Sequence, residues 1–304
     1  MRALVTGAHG FVGPYLTAHL EAAGDEVVGL GPEVDITDGE AIRDAVAAAR
    51  PDAVYHLAAA SHVGSSWSAP VEVLRTNAEG TLNVLLAAEA AGAPRVLVVG
   101  SAEEYGIVDP SALPLVETFP LRPVTPYGAS KVAAEVVGLQ AFLGRGLPVV
   151  LARPFNHLGP GQSDRLVAST LAHQVARNER EGTDVVLAGD LTPRRDFTDV
   201  RDVVRAYRLL VTEGQPGEAY NVCSGIDVPV SEVADALIAQ ARRPMRVELD
   251  PSRLRPVELP ALRGDPGKLR AATGWTPEIP LQRTLSDLLA WWRQRVAEEA
   301  PVSG

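Results

Sequence analysis

The 304-residue chain holds one cysteine, Cys223, so it can form no internal disulfide framework and no Cys-based zinc site; that scarcity fits a reducing compartment. No apolar run approaches the ~18 residues of a membrane span, so no membrane partner is expected. The N-terminus passes from Met1-Arg2 directly into Ala3-Leu4-Val5, too short an apolar stretch for a signal peptide. Positive charge is in deficit: 28 Lys and Arg against 38 Asp and Glu give a net charge of −10. Binding a phosphate backbone requires a basic face, so nucleic acid is excluded as the main partner. The six histidines show no metal spacing with carboxylates, and no metal is expected. What is left is an acidic, cytoplasmic globular protein, long enough for about two domains.

Short, near-continuous apolar runs at 2–6, 26–30, 53–57, 95–100 and 148–152 predict strands buried on both faces. Helical patterns lie at about 11–23, 38–49, 68–91 and 127–145. Strands alternating with helices predict an α/β fold with a Rossmann-like, doubly wound parallel sheet. After Arg153-Pro154 prolines and glycines cluster and the elements shorten, which predicts a smaller C-terminal substrate-binding lobe. Segment 196–222 carries an amphipathic helix and a short strand that return to the main sheet. The lobe is then mainly 154–195 and 223–304. A last helix at about 281–297 puts Leu281, Leu285, Leu288, Leu289 and Trp292 on one stripe facing the core.

Strand 2–6 runs into Thr6-Gly7-Ala8-His9-Gly10-Phe11-Val12-Gly13, a GxxGxxG pattern that opens a helix. Glycines there permit a tight turn and close approach of a pyrophosphate, while the helix N-terminus offers partial positive charge. Residues 1–153 therefore read as a dinucleotide-binding domain, with Gly7, His9, Gly10, Phe11, Val12 and Gly13 as candidate cofactor residues. An acidic residue is expected at the end of the second strand to hold a ribose. That position is Gly31, with Glu33 two residues on. Neither Arg nor Lys occurs between Asp25 and Ile42, so a 2′-phosphate lacks a guanidinium partner. The cofactor is NAD or NADP, with a lean to NAD. Asp35 and Ile36 lie where the chain could touch the adenine.

Tyr127 and Lys131 stand four apart at the start of helix 127–145 and share one face. A lysine ammonium beside a phenol lowers the phenol pKa and makes tyrosine a usable proton donor. Ser101 closes the fourth strand, at the carboxyl edge where open α/β sheets place ligands. Ser101, Tyr127 and Lys131 behind a nucleotide cradle look like a carbonyl-reducing set.

The residues now carry a specific resemblance. The chain resembles an extended short-chain dehydrogenase/reductase of the nucleotide-sugar-modifying branch. Its cradle, His56-Leu57-Ala58-Ala59, Thr76-Asn77-Ala78-Glu79-Gly80-Thr81, Tyr105-Gly106, Pro126–Lys131 and Arg195-Asp196-Phe197 all share in that similarity. Segments 153–162, 195–202, 220–225 and 254–258 are similar to those of GDP-6-deoxy-D-mannose reductases. The resemblance implies NAD(P)H-dependent reduction of a GDP-linked 4-keto-6-deoxy sugar to GDP-D-rhamnose, by a homodimer. It implies that Tyr127 protonates the alkoxide, Lys131 holds the nicotinamide ribose, and Ser101 hydrogen-bonds the keto oxygen. Leu57, Ala58, Ala59, Asn77 and Pro154 would line the cofactor. Asn156 would contact the sugar nucleotide, Arg195 and Arg255 the diphosphate, and Glu258 the ribose hydroxyls. Glu103 sits where related 4,6-dehydratases carry a glutamate base, which keeps a dehydratase or 4-epimerase as the alternative. A non-catalytic NAD(P)-binding regulator is a third reading, disfavoured by the intact Ser101, Tyr127 and Lys131.

Overall fold

The computed structural model describes residues 1–92, 94–254 and 257–298. In chain order the first elements are β1 (Arg2–Thr6), α1 (Gly13–Ala22), β2 (Glu26–Leu30), α2 (Gly39–Ala49) and β3 (Ala53–His56). Then follow α3 (Val63–Ser66), α4 (Pro70–Leu74), α5 (Gly80–Ala90), β4 (Arg95–Val99), α6 (Pro126–Arg145) and β5 (Val149–Pro154). These strands, with a later one, form a six-stranded parallel sheet in the order β2-β1-β3-β4-β5-β9, where β9 is Ala219–Val222. The chain moves outward one way from β1 to β2 and the other way from β3 onward. Such a reversal opens a crevice at the carboxyl ends of β1 and β3, where doubly wound sheets bind ligands.

Both faces of the sheet are covered. Leu16 and Leu20 of α1 pack against Val203, Tyr207 and Leu210 of the helix that precedes β9, over Val5 and Tyr55. On the other face Ile42 and Val46 meet Val84 and Leu85 over Leu4, Val54 and Val96. Strands sandwiched in this way read as unbroken apolar runs, which is why their positions were legible.

Beyond β5 lie β6 (Asn156–Leu158), α7 (Val167–Glu181), β7 (Val185–Ala188), β8 (Arg194–Asp199) and α8 (Val200–Glu213). After β9 come β10 (Asp227–Pro229), α9 (Val230–Ile238), β11 (Arg246–Leu249), β12 (Ala261–Leu262), α10 (Gly267–Thr273) and α11 (Leu281–Glu298). A smaller sheet pairs β10, β8 and β12, with β6 also on β8. The return to the central sheet is therefore made by α8 and β9, whereas β8 stays in the smaller sheet. A second core joins α7, α9 and α11 through Leu171, Val175, Leu237, Leu288 and Leu289. Trp292 is buried there, stacks on His173 and donates its indole N–H to Ser169 Oγ at 2.9 Å.

The helical pattern at 68–91 differs from expectation. The helix proper starts at Pro70, and between α4 and α5 the residues Arg75–Glu79 widen into a π turn. An extra residue in one turn rotates the side chains that follow, and such turns are frequent at functional sites. Asn77 is the buried residue of this turn.

Candidate active site

The cradle is built by steric exclusion. Gly7 sits at φ +69°, and a Cβ there would lie 2.8 Å from the Ala58 backbone nitrogen. A Cβ on Gly13 would lie 2.2 Å from the Ala8 carbonyl oxygen. These glycines let the β1 turn, the start of α1 and the end of β3 close on one another, with no side chain of their own to fill the cradle. Such a surface suits a pyrophosphate. Phe11 stacks on His157 with ring planes 6° apart, and Tyr15 donates to the Pro160 carbonyl at 2.7 Å. Phe11, just before α1, and Tyr15 within it thereby tie β6 and Pro160 to the cradle segment.

The end of β2 is occupied by protein. Glu33 folds back so that Oε1 accepts the Gly31 N–H at 2.8 Å, and the amides of Gly31 and Glu33 hold its carboxyl below its ordinary pKa. A Cβ on Gly31 would fall 2.2 Å from His9 Nδ1, so His9 reaches across to β2 rather than merely covering the loop. Asp35 is exposed and accepts from Thr37 N–H and Oγ1, while Ile36 is buried beneath α5.

The wall at β3 is held from two sides. Thr6 Oγ1 and His56 Nδ1 are 2.8 Å apart, His56 Nε2 and Thr81 Oγ1 3.0 Å, and the Ala58 N–H donates to Thr6. Burial, with the Lys131 charge, lowers His56 to about 3, so it is a neutral spacer. Asn77 clasps Ala60 through both backbone groups and donates to Ser130 Oγ at 2.8 Å. Ser130 in turn donates to the Tyr127 carbonyl at 2.7 Å. Segment 57–60 and the head of α6 are thereby one unit.

Pro126 at the first position of α6 and the Thr125 cap, which accepts the Gly128 N–H, start that helix sharply and bury Tyr127 and Lys131 in its first turns. Lys131 Nζ donates to the Val99 carbonyl at 2.8 Å, just where β4 ends and Ser101 begins. The Tyr127 phenol differs from expectation: burial pushes its pKa up, and the Ser101 hydroxyl draws it only partly back. The phenol therefore keeps its proton throughout the neutral range, as a proton donor requires. Lys131 is lowered by burial to about 8. The ammonium is present below that pH and lost above it. Turnover per substrate captured should accordingly fall as pH rises through about 8, and a kcat/KM profile flat beyond about pH 9.5 would detach Lys131 from the reaction.

On the lobe side, Asn156 is exposed at the start of β6. Arg195 is buried on β8, where it ion-pairs with Glu258 and donates to the Leu259 carbonyl at 2.7 Å. Arg255 lies outside the described residues. Pro154 ends β5 opposite Val222.

The sequence reading missed Glu104, Glu135 and Arg153. Arg153, a charged residue in an apolar strand, grips Glu135 of α6 at 2.8 and 2.5 Å and donates to Tyr105 and the Glu117 carbonyl. An arginine inside a buried strand was the available signal. Among the described residues no group of His, Cys, Asp and Glu could hold a metal, and no helix is long and apolar enough to cross a membrane.

The model described as the NAD dependent epimerase/dehydratase family matches residues 3–223. GDP-6-deoxy-D-mannose reductase of Pseudomonas aeruginosa is 38% identical over 98% of this chain and 99% of its own length. The structure of RMD from Pseudomonas aeruginosa complexed with NADPH superposes with a TM-score of 0.91, at 36% identity, covering 97% of this chain and 100% of that one. UDP-glucose 4-epimerase of Thermus thermophilus, in complex with NAD, gives a TM-score of 0.86, at 30% identity, over 96% of this chain and 99% of that one.

Proposed function

The chain belongs to the NAD dependent epimerase/dehydratase family, the extended short-chain dehydrogenases/reductases, and from that premise we propose that it reduces GDP-4-keto-6-deoxy-D-mannose to GDP-D-rhamnose. The observation that carries the reading is the full-length kinship with the Pseudomonas reductase, in sequence and in fold. The dinucleotide, when bound, supplies the hydride. Gly7, Gly10 and Gly13 would admit its pyrophosphate, and Leu57, Ala58 and Ala59 would flank it. Tyr127 would give its proton to the C4 oxygen, leaving a phenolate. Lys131, fixed by the Val99 carbonyl, would offset that negative charge, and the Ser101 hydroxyl would donate to the same oxygen. Arg195 with Glu258, and Arg255 with them, would hold the GDP end, and Asn156 the sugar.

The cofactor preference follows from the end of β2. A carboxylate already seated on the Gly31 amide repels a 2′-phosphate, and no Arg or Lys stands between Asp25 and Ile42 to attract one. NADH is expected to serve at least as well as NADPH, and a hundredfold higher kcat/KM with NADPH would contradict this. A second reading has one observation in its favour. Glu103 lies two residues beyond Ser101 in the turn after β4, the place where a 4,6-dehydratase carries its base.

The assembly proposed is a homodimer in the cytoplasm. Val71, Leu74 and Leu86 along the 70–90 helical run, and Val136 and Leu143 on α6, are exposed apolar side chains that a second copy would cover. Incubating the protein with the 4-keto-6-deoxy sugar nucleotide and NADH or NADPH tests the reading. One cofactor oxidised per GDP-D-rhamnose formed is the expected result, and no oxidation with either cofactor rejects it.

A further inference from the structure

The turn after β4 reads Ser101-Ala102-Glu103-Glu104. Ser101 Oγ accepts the Glu103 N–H at 3.2 Å, while Glu104 Oε1 accepts the Ser101 N–H at 2.7 Å. The pattern is a capping box, and on an exposed helix it would be only that. Here Glu104 is wholly buried and packed against Gly100, where a Cβ would fall 2.3 Å from its Oε1.

Its surroundings are crowded with charge. Glu135, Lys131 and Tyr127 face it from α6, Arg153 from β5, and Glu103 and Tyr105 belong to its own turn, with Glu117 beyond Arg153. The one guanidinium is spent on Glu135, which takes both Nε and Nη2. Glu104 Oε2 stays 3.5 Å from Arg153 Nε and makes no hydrogen bond to it. Two carboxylates in contact around one guanidinium, away from water, leave a place for a proton.

Resting on the reductase reading above, we propose that Glu104 is a positioning residue that works as a neutral carboxylic acid. It clamps Ser101 through the backbone N–H, with its own proton directed to Glu135. Burial and the neighbouring Glu135 carboxylate both drive the Glu104 carboxyl well above the usual carboxylate range, in the same direction. Neutrality matters because Tyr127 becomes negative on giving up its proton. An anion at Glu104 would oppose that charge, whereas a neutral acid holds the serine and leaves the phenolate to Lys131.

Glutamine reproduces the neutral acid, with an acceptor for Ser101 and a donor for Glu135; leucine keeps the volume and removes both. Lys131 and Lys268 are the only lysines in the chain, so ¹⁵N-lysine NMR follows the Lys131 titration without any substrate. Glu104→Gln should leave that midpoint within about 0.3 unit of wild type and turnover within about threefold. Glu104→Leu should lower kcat roughly 10–100-fold with cofactor KM unchanged. Turnover is read on keto-sugar reduction or UDP-glucose epimerisation, whichever the wild type performs, so failure of the substrate reading shows in the wild type alone. A Lys131 midpoint displaced downward by about a unit in Glu104→Gln would reveal a lost anion and overturn the neutral acid. Wild-type kcat in folded Glu104→Leu would overturn the positioning role. A Glu104→Gln enzyme with kcat lowered more than tenfold overturns the neutral acid, and, should the leucine variant not fold, wild-type kcat in Glu104→Met overturns the positioning role equally.

Discussion

Tyr127→Phe is expected to keep the fold and the cofactor affinity while turnover falls roughly 10²–10⁴-fold, the worth of a positioned general acid. The phenol is buried, and desolvation raises it more than the Ser101 hydroxyl draws it back, so it enters the reaction protonated. Its neighbours are held independently of its hydroxyl. Ser130 binds the Tyr127 carbonyl and Lys131 the Val99 carbonyl, so phenylalanine removes the proton and little else. Nicotinamide fluorescence gives the affinity and single-turnover kinetics the chemical step. More than half the wild-type rate in the variant would remove Tyr127 from the mechanism. Glu103→Gln separates the two enzymatic readings beside it. A reductase takes no proton from carbon, so this change should cost far less than Tyr127→Phe, whereas a dehydratase would suffer comparably from both.

Arg153→Met should cost about 3–5 kcal/mol of stability, because it strands buried carboxyls that the guanidinium now serves. Arg153 is 5% exposed, and Glu135, in bonding it, lifts the guanidinium further above its ordinary pKa. The sign of the pH dependence follows. Without the cation, the buried Glu104 carboxyl, already held above the usual range, is left with no countercharge, so its folded pKa lies still further above the unfolded one. Stability is then present below the unfolded carboxyl range and is lost as pH rises through the raised value. Urea midpoints should therefore favour the variant at about pH 5 over about pH 8. A loss below ~1 kcal/mol at neutral pH would show that the network is not balanced as described.

What the sequence revealed was local. The five strands, the glycines of the cradle and the Tyr127/Lys131 pair are patterns within a few residues, and each acts through backbone sterics or one helix face. The full-length motifs carried the family in the same way. The π turn at Arg75–Glu79 was invisible, because side-chain periodicity does not distinguish one widened turn inside a long helical pattern. The Glu104–Arg153–Glu135 cluster was invisible for a different reason: its members come from the turn after β4, from β5 and from α6, and only the fold brings them together. The phenol's pKa went the opposite way from the expectation. The Tyr127/Lys131 spacing shows the lysine but not the burial that raises the phenol, which depends on the elements packed around α6.

The central claim is that hydride leaves an exchangeable cofactor and stays on the sugar. The measurement that tests it most directly uses cofactor deuterated at C4 of the dihydronicotinamide, offered with GDP-4-keto-6-deoxy-D-mannose, and locates the label by mass spectrometry and NMR of the product. One deuterium at C4 of GDP-D-rhamnose, with one cofactor oxidised, is the predicted result. Unlabelled sugar, together with conversion of GDP-mannose to its 4-keto-6-deoxy product at no net change of cofactor, would contradict it and make the protein a dehydratase.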